Sequence, residues 1–218
     1  MGFDGAVVLV TGANRGLGRA FAQEFVKRGA KVYGGARNTA SVVDEGVLPV
    51  QLDVTDDASV AAAAKELGDV TIVVNNAGVT GPGAAVDDIK SEFEVNFYGV
   101  VRTTDAFAPV LKANGGGTLV NVLSILSWLG YPGARGYAAS KAAAWSFTKS
   151  TRDALREQGT HVVGVHVGYI DTDMAAHIDQ PKVAPADVVS QVLRAIENGE
   201  DEVLADEGTR AVKASLAS

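Results

Sequence analysis

The chain contains no cysteine, which excludes disulfides, thiol catalysis and cysteine-ligated metal sites. It also lacks any run of eighteen apolar residues, so we expect no transmembrane helix and no membrane partner. No basic region precedes the first apolar run in "MGFDGAVVLVTG", and a cleaved signal peptide is therefore not expected. Together these absences predict a cytoplasmic protein.

Positive charge is scarce as well, with 19 Lys and Arg against 26 Asp and Glu and a formal net charge of −7. Binding to nucleic acid needs a basic face that neutralises phosphates, so we expect no nucleic-acid partner. The three histidines, His161, His166 and His177, form no metal-binding pattern, and no metal site is predicted. For the first two, which lie at or in a predicted strand, we expect structural roles.

Short apolar, β-branched runs alternate with longer helical patterns along the chain. We predict strands at 6–12, 31–37, 47–54, 70–78, 117–124, 161–167 and 201–205, and helices at 18–29, 57–68, 87–115, 136–157 and 185–198. Pro109 is expected to interrupt the longest helix near its end. Strands that are almost continuously apolar are typical of a parallel sheet covered on both faces.

This alternation predicts an α/β fold, namely a doubly wound, Rossmann-like parallel sheet of about seven strands with helices on both faces. The 218 residues, 47 % of them hydrophobic, suit a single domain spanning residues 1–218. No linker or low-complexity segment breaks the pattern.

A glycine-rich turn separates the first predicted strand from the first predicted helix. In "VVLVTGANRGLGRAF", Gly12, Gly16 and Gly18 permit a tight turn and a close backbone approach to a pyrophosphate, whose charge a helix N-terminus stabilises. A glycine cluster by itself is also found in ordinary turns. Its position in the first strand–helix–strand unit favours a dinucleotide site.

The end of the second predicted strand distinguishes between the two nicotinamide cofactors. A site that prefers NAD usually carries Asp or Glu there, to bind the ribose 2′-hydroxyl. This chain has Ala36 followed by Arg37, and Arg15 stands in the first loop. Either arginine could be an ordinary surface residue, but two cations and a missing acid favour the 2′-phosphate of NADP.

Tyr137 and Lys141 stand four positions apart in the alanine-rich stretch "GYAASKAAAW". Alanine favours a helix, and residues i and i+4 share one helix face. The pair is either part of a solvated face or a tyrosine that exchanges its proton near neutral pH. A free tyrosine has a pKa of about 10, so ionisation near neutrality requires about 4 kcal/mol from its neighbours.

Several motifs follow one another in a familiar order and spacing. They are "TGANRGLG" (11–18), "LDV" (52–54), "NNAG" (75–78), Asn96, Ser124 and "YAASK" (137–141). Over roughly residues 5–175, the chain resembles the compact, one-domain members of the short-chain dehydrogenase/reductase family. One such motif is only moderately specific, whereas the whole series is highly specific.

The resemblance implies a catalytic tetrad of Asn96, Ser124, Tyr137 and Lys141. Ser124 lies 13 residues before Tyr137, as the family pattern requires, and this spacing favours it over the nearby Ser127. Asp53 and Val54 would bind adenine, and other segments would line the adenosine ribose and hold the nicotinamide amide. The expected cofactor-binding residues are Thr11, Gly12, Asn14, Arg15, Gly16, Leu17, Gly18, Arg37, Asp53, Val54, Asn76, Ala77, Gly78, Tyr137, Lys141, Gly168, Ile170 and Thr172.

Reduction of a carbonyl requires a hydride on carbon and a proton on oxygen. No side chain carries a hydride, so the cofactor must supply it. Tyr137 would be the general acid in reduction and the general base in oxidation, with Lys141 and the nicotinamide charge favouring its phenolate. Ser124 would hydrogen-bond the substrate oxygen. By resemblance, Lys141 would also hold the nicotinamide ribose and Asn96 would anchor a proton-relaying water, although Asn96 could equally be a polar residue on a helix face.

The chain departs from the family pattern at two places. Val167 replaces the proline that usually precedes Gly168, and the segment after Met174 that normally covers the substrate is short, which predicts an open site. An apolar pocket is suggested by Ile125, Leu126, Trp128, Leu129 and Tyr169, although the aliphatic ones could equally be core. Trp145 is expected in packing or a subunit contact. By resemblance, helices at 87–113 and 136–157 would form the interface of a homodimer or homotetramer.

The sequence therefore predicts an NADP-dependent oxidoreductase that interconverts an aldehyde or ketone and an alcohol. A non-catalytic NADP-binding regulator of the same fold is a first alternative, but such proteins typically lose the tyrosine or lysine kept here at 137 and 141. A dehalogenase of the same fold would need arginine in place of Lys141 and a disrupted glycine loop. Steroid, sugar, acyl and simple aldehyde substrates all stay open.

Overall fold

The computed structural model describes residues 2–81 and 85–216. Within them, seven strands form one parallel sheet in the order β3-β2-β1-β4-β5-β6-β7. The strands are β1 (Val7–Thr11), β2 (Lys31–Ala36), β3 (Val47–Gln51), β4 (Ile72–Asn75), β5 (Thr118–Val122), β6 (His161–His166) and β7 (Glu202–Leu204). The predicted Rossmann-like α/β fold is confirmed. At one outer edge, β3 carries the exposed residue Pro49 opposite Gly34 of β2.

Helices cover both faces of the sheet in the described part of the chain. They are α1 (Gly16–Lys27), α2 (Asp57–Glu66), α3 (Val86–Phe93), α4 (Gly99–Ala113), α5 (Arg135–Ala154), α6 (Pro185–Asn198) and α7 (Glu207–Ser215). None of the helices in these residues is long and apolar enough to cross a membrane.

The core consists of two apolar clusters, one on each face of the sheet. On one face Phe21 and Phe25 of α1 pack with Val192 of α6 and the buried valines of the strands. On the other face Phe107 and Leu111 of α4 pack with residues of α2 and with the opposite side of the same strands. Burial on both faces explains why the strands read as almost continuous apolar runs.

The long predicted helix is interrupted, but not at Pro109. The chain forms a π-helical turn at Glu94–Tyr98 between α3 and α4, and α4 continues through Pro109 to Ala113. Pro109 cannot donate a hydrogen bond to the carbonyl of Asp105, but both residues are exposed, so water can satisfy that carbonyl. The prediction of an interruption at Pro109 was wrong.

Helix α7 was not predicted. Its N-cap is Asp206, whose Oδ1 accepts a hydrogen bond from the Thr209 backbone N–H at 2.8 Å and whose Oδ2 accepts one from the Thr209 hydroxyl at 2.7 Å. The Gly168 backbone N–H also donates to Asp206 Oδ2, at 2.7 Å. The cap therefore ties α7 to the segment that follows β6.

Candidate active site

An open cleft lies at the carboxyl ends of the strands, where β1 separates β2 from β4 and the strand order reverses. In doubly wound folds this crevice is the usual ligand site. The predicted site residues that line it are Gly12, Asn14, Arg15, Gly16, Leu17, Arg37, Asp53, Val54, Asn76, Ala77, Gly78, Ser124, Tyr137, Lys141, Gly168, Ile170 and Thr172. The fold thus brings nearly the whole predicted set together.

Thr11 and Gly18 were predicted to bind the cofactor, but they do not line this cleft. Thr11 is 1 % exposed, and its hydroxyl oxygen accepts the backbone N–H groups of Asn76 and Ala77, each at 3.0 Å. A Cβ atom at Gly18 would collide with the Gly12 carbonyl oxygen. Both residues hold the loop in shape from beneath it.

The loop between β1 and α1 has the form of a phosphate cradle. Gly12 and Gly16 have positive φ angles of 66° and 54°, which favour glycine. A Cβ atom at Gly12 would lie 3.2 Å from the Ala77 Cα, so a side chain there would crowd the loop. The first turn of α1 carries no acidic side chain, and its free N–H groups suit an anion. The residues present therefore fit the pyrophosphate of a dinucleotide.

One end of the cleft, where the sequence analysis places the adenosine, is lined by Arg15, Arg37 and Asp53. Both arginines are exposed, and the end of β2 carries the buried Ala36 instead of an acid. Burial disfavours the ionised form of Asp53. Its Oδ1 accepts hydrogen bonds from the Thr55 N–H (3.0 Å) and the Thr55 hydroxyl (2.7 Å), and these bonds together with the charge of Arg37 outweigh the effect of burial. The pKa of Asp53 is therefore below its usual value.

The predicted catalytic residues Ser124, Tyr137 and Lys141 lie at the other end of the cleft, on α5 and the loop after β5. Tyr137 and Lys141 share one face of α5, as predicted, and the Tyr137 hydroxyl is hydrogen-bonded to the Ser124 side chain. Lys141 is 4 % exposed, and its Nζ donates to the Val122 carbonyl at 2.8 Å and lies 5.7 Å from the centre of the Tyr137 ring. The ammonium therefore lies beneath the phenol.

The pKa of Tyr137 is raised, and Lys141 is not among the causes of that shift, so its predicted effect on the phenolate stays a prediction. Burial of the phenol is the main cause, the hydrogen bond with Ser124 acts in the opposite direction, and the charge of Glu92 adds to the rise. Burial lowers the pKa of Lys141 to about 8, so the ammonium is itself poorly solvated.

The structure distinguishes Ser124 from Ser127. Ser127 is 6 % exposed, and its Oγ accepts the Ser124 backbone N–H at 3.2 Å. Ser124 faces the cleft and Tyr137, and its Oγ accepts the Leu126 N–H at 3.1 Å. The geometry favours Ser124 as the serine that meets a substrate, in agreement with the spacing.

Asn96 is fully buried in the π-helical turn and does not line the cleft. Its Oδ1 accepts the Val79 N–H at 2.8 Å, and its Nδ2 donates to the Val79 carbonyl at 2.9 Å and to the Ser140 hydroxyl at 3.1 Å. The side-chain amide therefore fastens the loop after β4 to α5. Its predicted role in holding a water stays a prediction.

Glu92, which the sequence analysis did not single out, lies behind Tyr137. It is 1 % exposed, its Oε1 accepts the Gly81 N–H at 2.8 Å, and its Oε2 is buried without a hydrogen-bond partner in the described structure. A Cβ atom at Gly136 would collide with Oε2, so the glycine before Tyr137 makes room for this carboxylate. A lone Glu four residues before Asn96 gives no sequence signal of such burial.

We expect Glu92→Gln to shift the pH dependence of catalysis. Because the Glu92 charge raises the pKa of Tyr137, its removal lowers that pKa. Alcohol oxidation needs the phenolate as base, so its rate rises with pH through this pKa and the rising limb moves to lower pH. The measurement is kcat/KM for alcohol oxidation with NADP⁺ from pH 6 to pH 10.

Glu94→Gln is the matched control, because Glu94 lies two residues away but is partly exposed and pairs with Arg102 at 2.6 Å. Its pH profile should coincide with that of the wild type. A Glu92→Gln profile that keeps its position while the melting temperature falls would assign Glu92 a purely structural role.

Apolar side chains line part of the cleft where the substrate is predicted, but they are not the full predicted set. Ile125, Leu126 and Tyr169 line the cleft, together with Tyr131, Met174 and Ile178, which the sequence analysis missed. Trp128 and Leu129 do not line it. Trp128 turns away because its indole stacks on His166, with ring centroids 4.0 Å apart.

The segment after β6 keeps a defined path although valine replaces the usual proline. The Val167 carbonyl accepts the Ile125 N–H at 2.9 Å. Ile170 then forms a parallel bridge with Val183, in which the Val183 N–H donates to the Tyr169 carbonyl at 2.8 Å. These bonds join the two ends of segment 171–182, the short segment predicted to cover the substrate. Among the described residues, no group of His, Asp or Glu side chains could hold a metal ion.

Comparison with known proteins agrees with this geometry. The family model for short chain dehydrogenases matches residues 6–183. A 3-oxoacyl-[acyl-carrier-protein] reductase of Salmonella typhimurium is 35 % identical over 188 residues, which is 80 % of this chain and 77 % of the relative. A 2-(R)-hydroxypropyl-CoM dehydrogenase of Xanthobacter autotrophicus is 32 % identical over 199 residues, covering 81 % and 80 % of the two chains.

Solved structures are similar over almost the whole length. A short chain dehydrogenase from Burkholderia cenocepacia in complex with NADP has a TM-score of 0.95 and 37 % identity, covering 100 % of this chain and 95 % of that one. A short-chain dehydrogenase from Sphingobium yanoikuyae in complex with NADPH has a TM-score of 0.86 and 25 % identity, covering 97 % and 92 %. The chain belongs to the short-chain dehydrogenase family.

Proposed function

We propose that this oxidoreductase reduces an aldehyde or ketone with NADPH. The observation that carries the proposal is the contact between the Ser124 and Tyr137 side chains above the buried Lys141, at the cleft end opposite Arg15 and Arg37. NADPH, when bound, supplies the hydride. The protein supplies the proton and stabilises the charge on oxygen.

The side chains divide that work. The Ser124 and Tyr137 hydroxyls both donate to the substrate carbonyl oxygen, which orients the carbonyl and stabilises the negative charge that develops on it. Tyr137 then transfers its proton to that oxygen. Its raised pKa keeps the phenol protonated at neutral pH, which suits reduction. Lys141, directly beneath, stabilises the phenolate left behind.

Two features support NADP as the cofactor. The related structure from Burkholderia cenocepacia binds NADP and shares 37 % of its sequence with this chain. In addition, Arg15 and Arg37 lie at the adenosine end of the cleft, where Ala36 occupies the place of an acid. A guanidinium binds a phosphate through paired hydrogen bonds, which an NAD ribose cannot make.

We propose a small-molecule substrate that carries an apolar group next to its carbonyl. Leu126, Tyr131, Met174 and Ile178 line the cleft on this side, and the short covering segment leaves room for a chain. Because 3-oxoacyl reductases are among the relatives, acyl thioesters belong in any substrate panel. Action in the cytoplasm, and assembly of a homodimer or homotetramer through α3, α4 and α5, stay predictions from the sequence.

The test is oxidation of NADPH and of NADH against a panel of aldehydes, ketones and a 3-oxoacyl thioester. We expect turnover that prefers NADPH. Tight NADPH binding without turnover on the whole panel would favour the non-catalytic regulator. Halide release from a halohydrin without cofactor would favour the dehalogenase. Turnover with NADH alone would leave the chemistry intact and contradict the role given to the two arginines.

A further inference from the structure

A buried aromatic cluster lies directly behind the catalytic serine. His166, at the end of β6, is 0 % exposed and lies against two indoles. Its ring stacks on Trp128 with centroids 4.0 Å apart and meets Trp145 of α5 edge-on at 4.7 Å. The packing fixes the plane of the imidazole, and hence the direction in which each ring nitrogen points.

One ring nitrogen points at Ser124. His166 Nδ1 lies 3.2 Å from the Ser124 carbonyl oxygen. A carbonyl oxygen only accepts hydrogen bonds, so Nδ1 must carry the proton. The same oxygen also accepts the Ser127 N–H at 3.0 Å. The carbonyl of Ser124 is thus held from two sides, one of them a side chain from a neighbouring strand.

The imidazole is neutral when it makes this bond. Burial lowers the pKa of His166 to about 4, opposed by the bond with Ser124 and by the charge of Glu202, while Lys213 acts with burial. Nε2 lies 3.5 Å from Glu202 Oε1 and makes no hydrogen bond in the described structure. The tautomer with hydrogen on Nδ1 therefore holds across the physiological pH range.

Helix α7 closes the cluster on its outer side. Lys213 Nζ lies 4.9 Å from the centre of the Trp128 ring and 5.5 Å from that of Trp145. It also donates to both carboxylate oxygens of Glu202, at 2.6 Å and 2.9 Å. Because the Lys213 ammonium lies over both indoles, α7 helps to fix the two rings that pack against His166.

We propose that His166 is a positioning residue that sets the orientation of Ser124 through its backbone carbonyl, with Trp128, Trp145 and Lys213 fixing the imidazole. This inference rests on the proposed reductase activity, in which the Ser124 hydroxyl must meet the substrate oxygen. Packing alone would require an aromatic ring at this position. Positioning requires a hydrogen-bond donor there.

Two substitutions at His166 separate these requirements. His166→Phe keeps an aromatic ring and removes the donor, whereas His166→Asn removes the ring and places an amide N–H near the position of Nδ1. We expect His166→Phe to lower kcat by about tenfold at unchanged NADPH affinity, with a melting temperature only slightly below that of the wild type because the Ser124 carbonyl keeps its bond from the Ser127 N–H. His166→Asn should melt at a lower temperature than His166→Phe, because it loses the ring packed between the indoles, yet keep kcat within about threefold of the wild type.

The reverse order, with the Phe variant active and the Asn variant inactive at a temperature where both are folded, would overturn the proposal. A second readout does not depend on catalysis: ¹⁵N NMR of the histidine rings should show His166 neutral with hydrogen on Nδ1 from pH 6 to pH 8. Hydrogen on Nε2 would overturn the proposal. Absence of turnover in the wild type with an Nδ1-protonated ring would instead count against the proposed function and leave the geometry of His166 standing.

Discussion

Replacing Tyr137 by phenylalanine should lower kcat/KM for carbonyl reduction by about 10²–10⁴-fold, the usual contribution of a general acid. The substitution removes one oxygen, and with it the proton donor and the bond to Ser124. The ring stays in place over Lys141, so NADPH affinity should change by less than about threefold, the value of a weak hydrogen bond. Stopped-flow NADPH oxidation and fluorescence titration of NADPH measure the two effects.

Tyr33→Phe is the matched control for this experiment. Tyr33 also has a hydroxyl group, which reaches Asp69 at 3.2 Å, but it lies on β2 outside the cleft. The Tyr33→Phe variant should reduce carbonyls at the wild-type rate. Full activity in the Tyr137→Phe variant would remove Tyr137 from the chemistry, and lost NADPH binding would show that the variant disturbs the whole site.

The second large effect concerns cofactor choice. The double variant Arg15→Ala/Arg37→Ala should lose about 10²-fold or more in kcat/KM for NADPH, because two charge-assisted hydrogen bonds to a 2′-phosphate contribute about 1.5–3 kcal/mol each. For NADH the change should stay within about twofold, since both arginines are exposed and the ionised form of Asp53 beside Arg37 is also held by hydrogen bonds from Thr55. The quantity to measure is the ratio of kcat/KM for NADPH to kcat/KM for NADH, in the wild type and in the double variant.

Arg19→Ala tests whether any arginine of this region has the same effect. Arg19 lies on α1 outside the cleft, and its guanidinium pairs with Asp44 at 2.8 Å. Its removal should leave the preference for NADPH unchanged. Equal losses with NADPH and NADH in the double variant would mean that the arginines support the loop, or bind the pyrophosphate, instead of reading the 2′-phosphate.

Much of the fold and the site could be predicted because the signals are local. The spacing of Tyr137 and Lys141 needs only a helix, and the glycine loop needs only the strand before it and the helix after it. Parallel strands then bring their carboxyl ends to one edge of the sheet, so Asp53, Ser124 and Gly168, which follow three of these strands, line one cleft. The order of the elements predicts where these residues lie, and the resemblance to the short-chain dehydrogenase/reductase family singled them out.

The rest depends on contacts between distant parts of the chain. The sequence predicts Trp128 as a pocket residue, whereas in the structure its indole stacks on His166 of β6, which is distant in sequence. From the sequence, Glu92 resembles an exposed acid on a helix. It is buried because the absence of a side chain at Gly136 of α5 leaves room for its carboxylate. Helix α7 begins at Glu207, separated by two residues from the end of the three-residue strand β7, and its short amphipathic pattern has too few apolar positions to be recognised.

The proline at position 49 limits how copies of this protein can associate. An outermost strand with unpaired backbone groups is a template on which another strand can add, and long runs of such additions lead to aggregates. Pro49 has no N–H to offer, and it stands exposed in the middle of β3, the outermost strand on its side. Growth of the sheet past this edge is therefore blocked at its centre. Addition of a further strand is therefore disfavoured on the β3 side, whereas the opposite edge of the sheet is formed by the short strand β7.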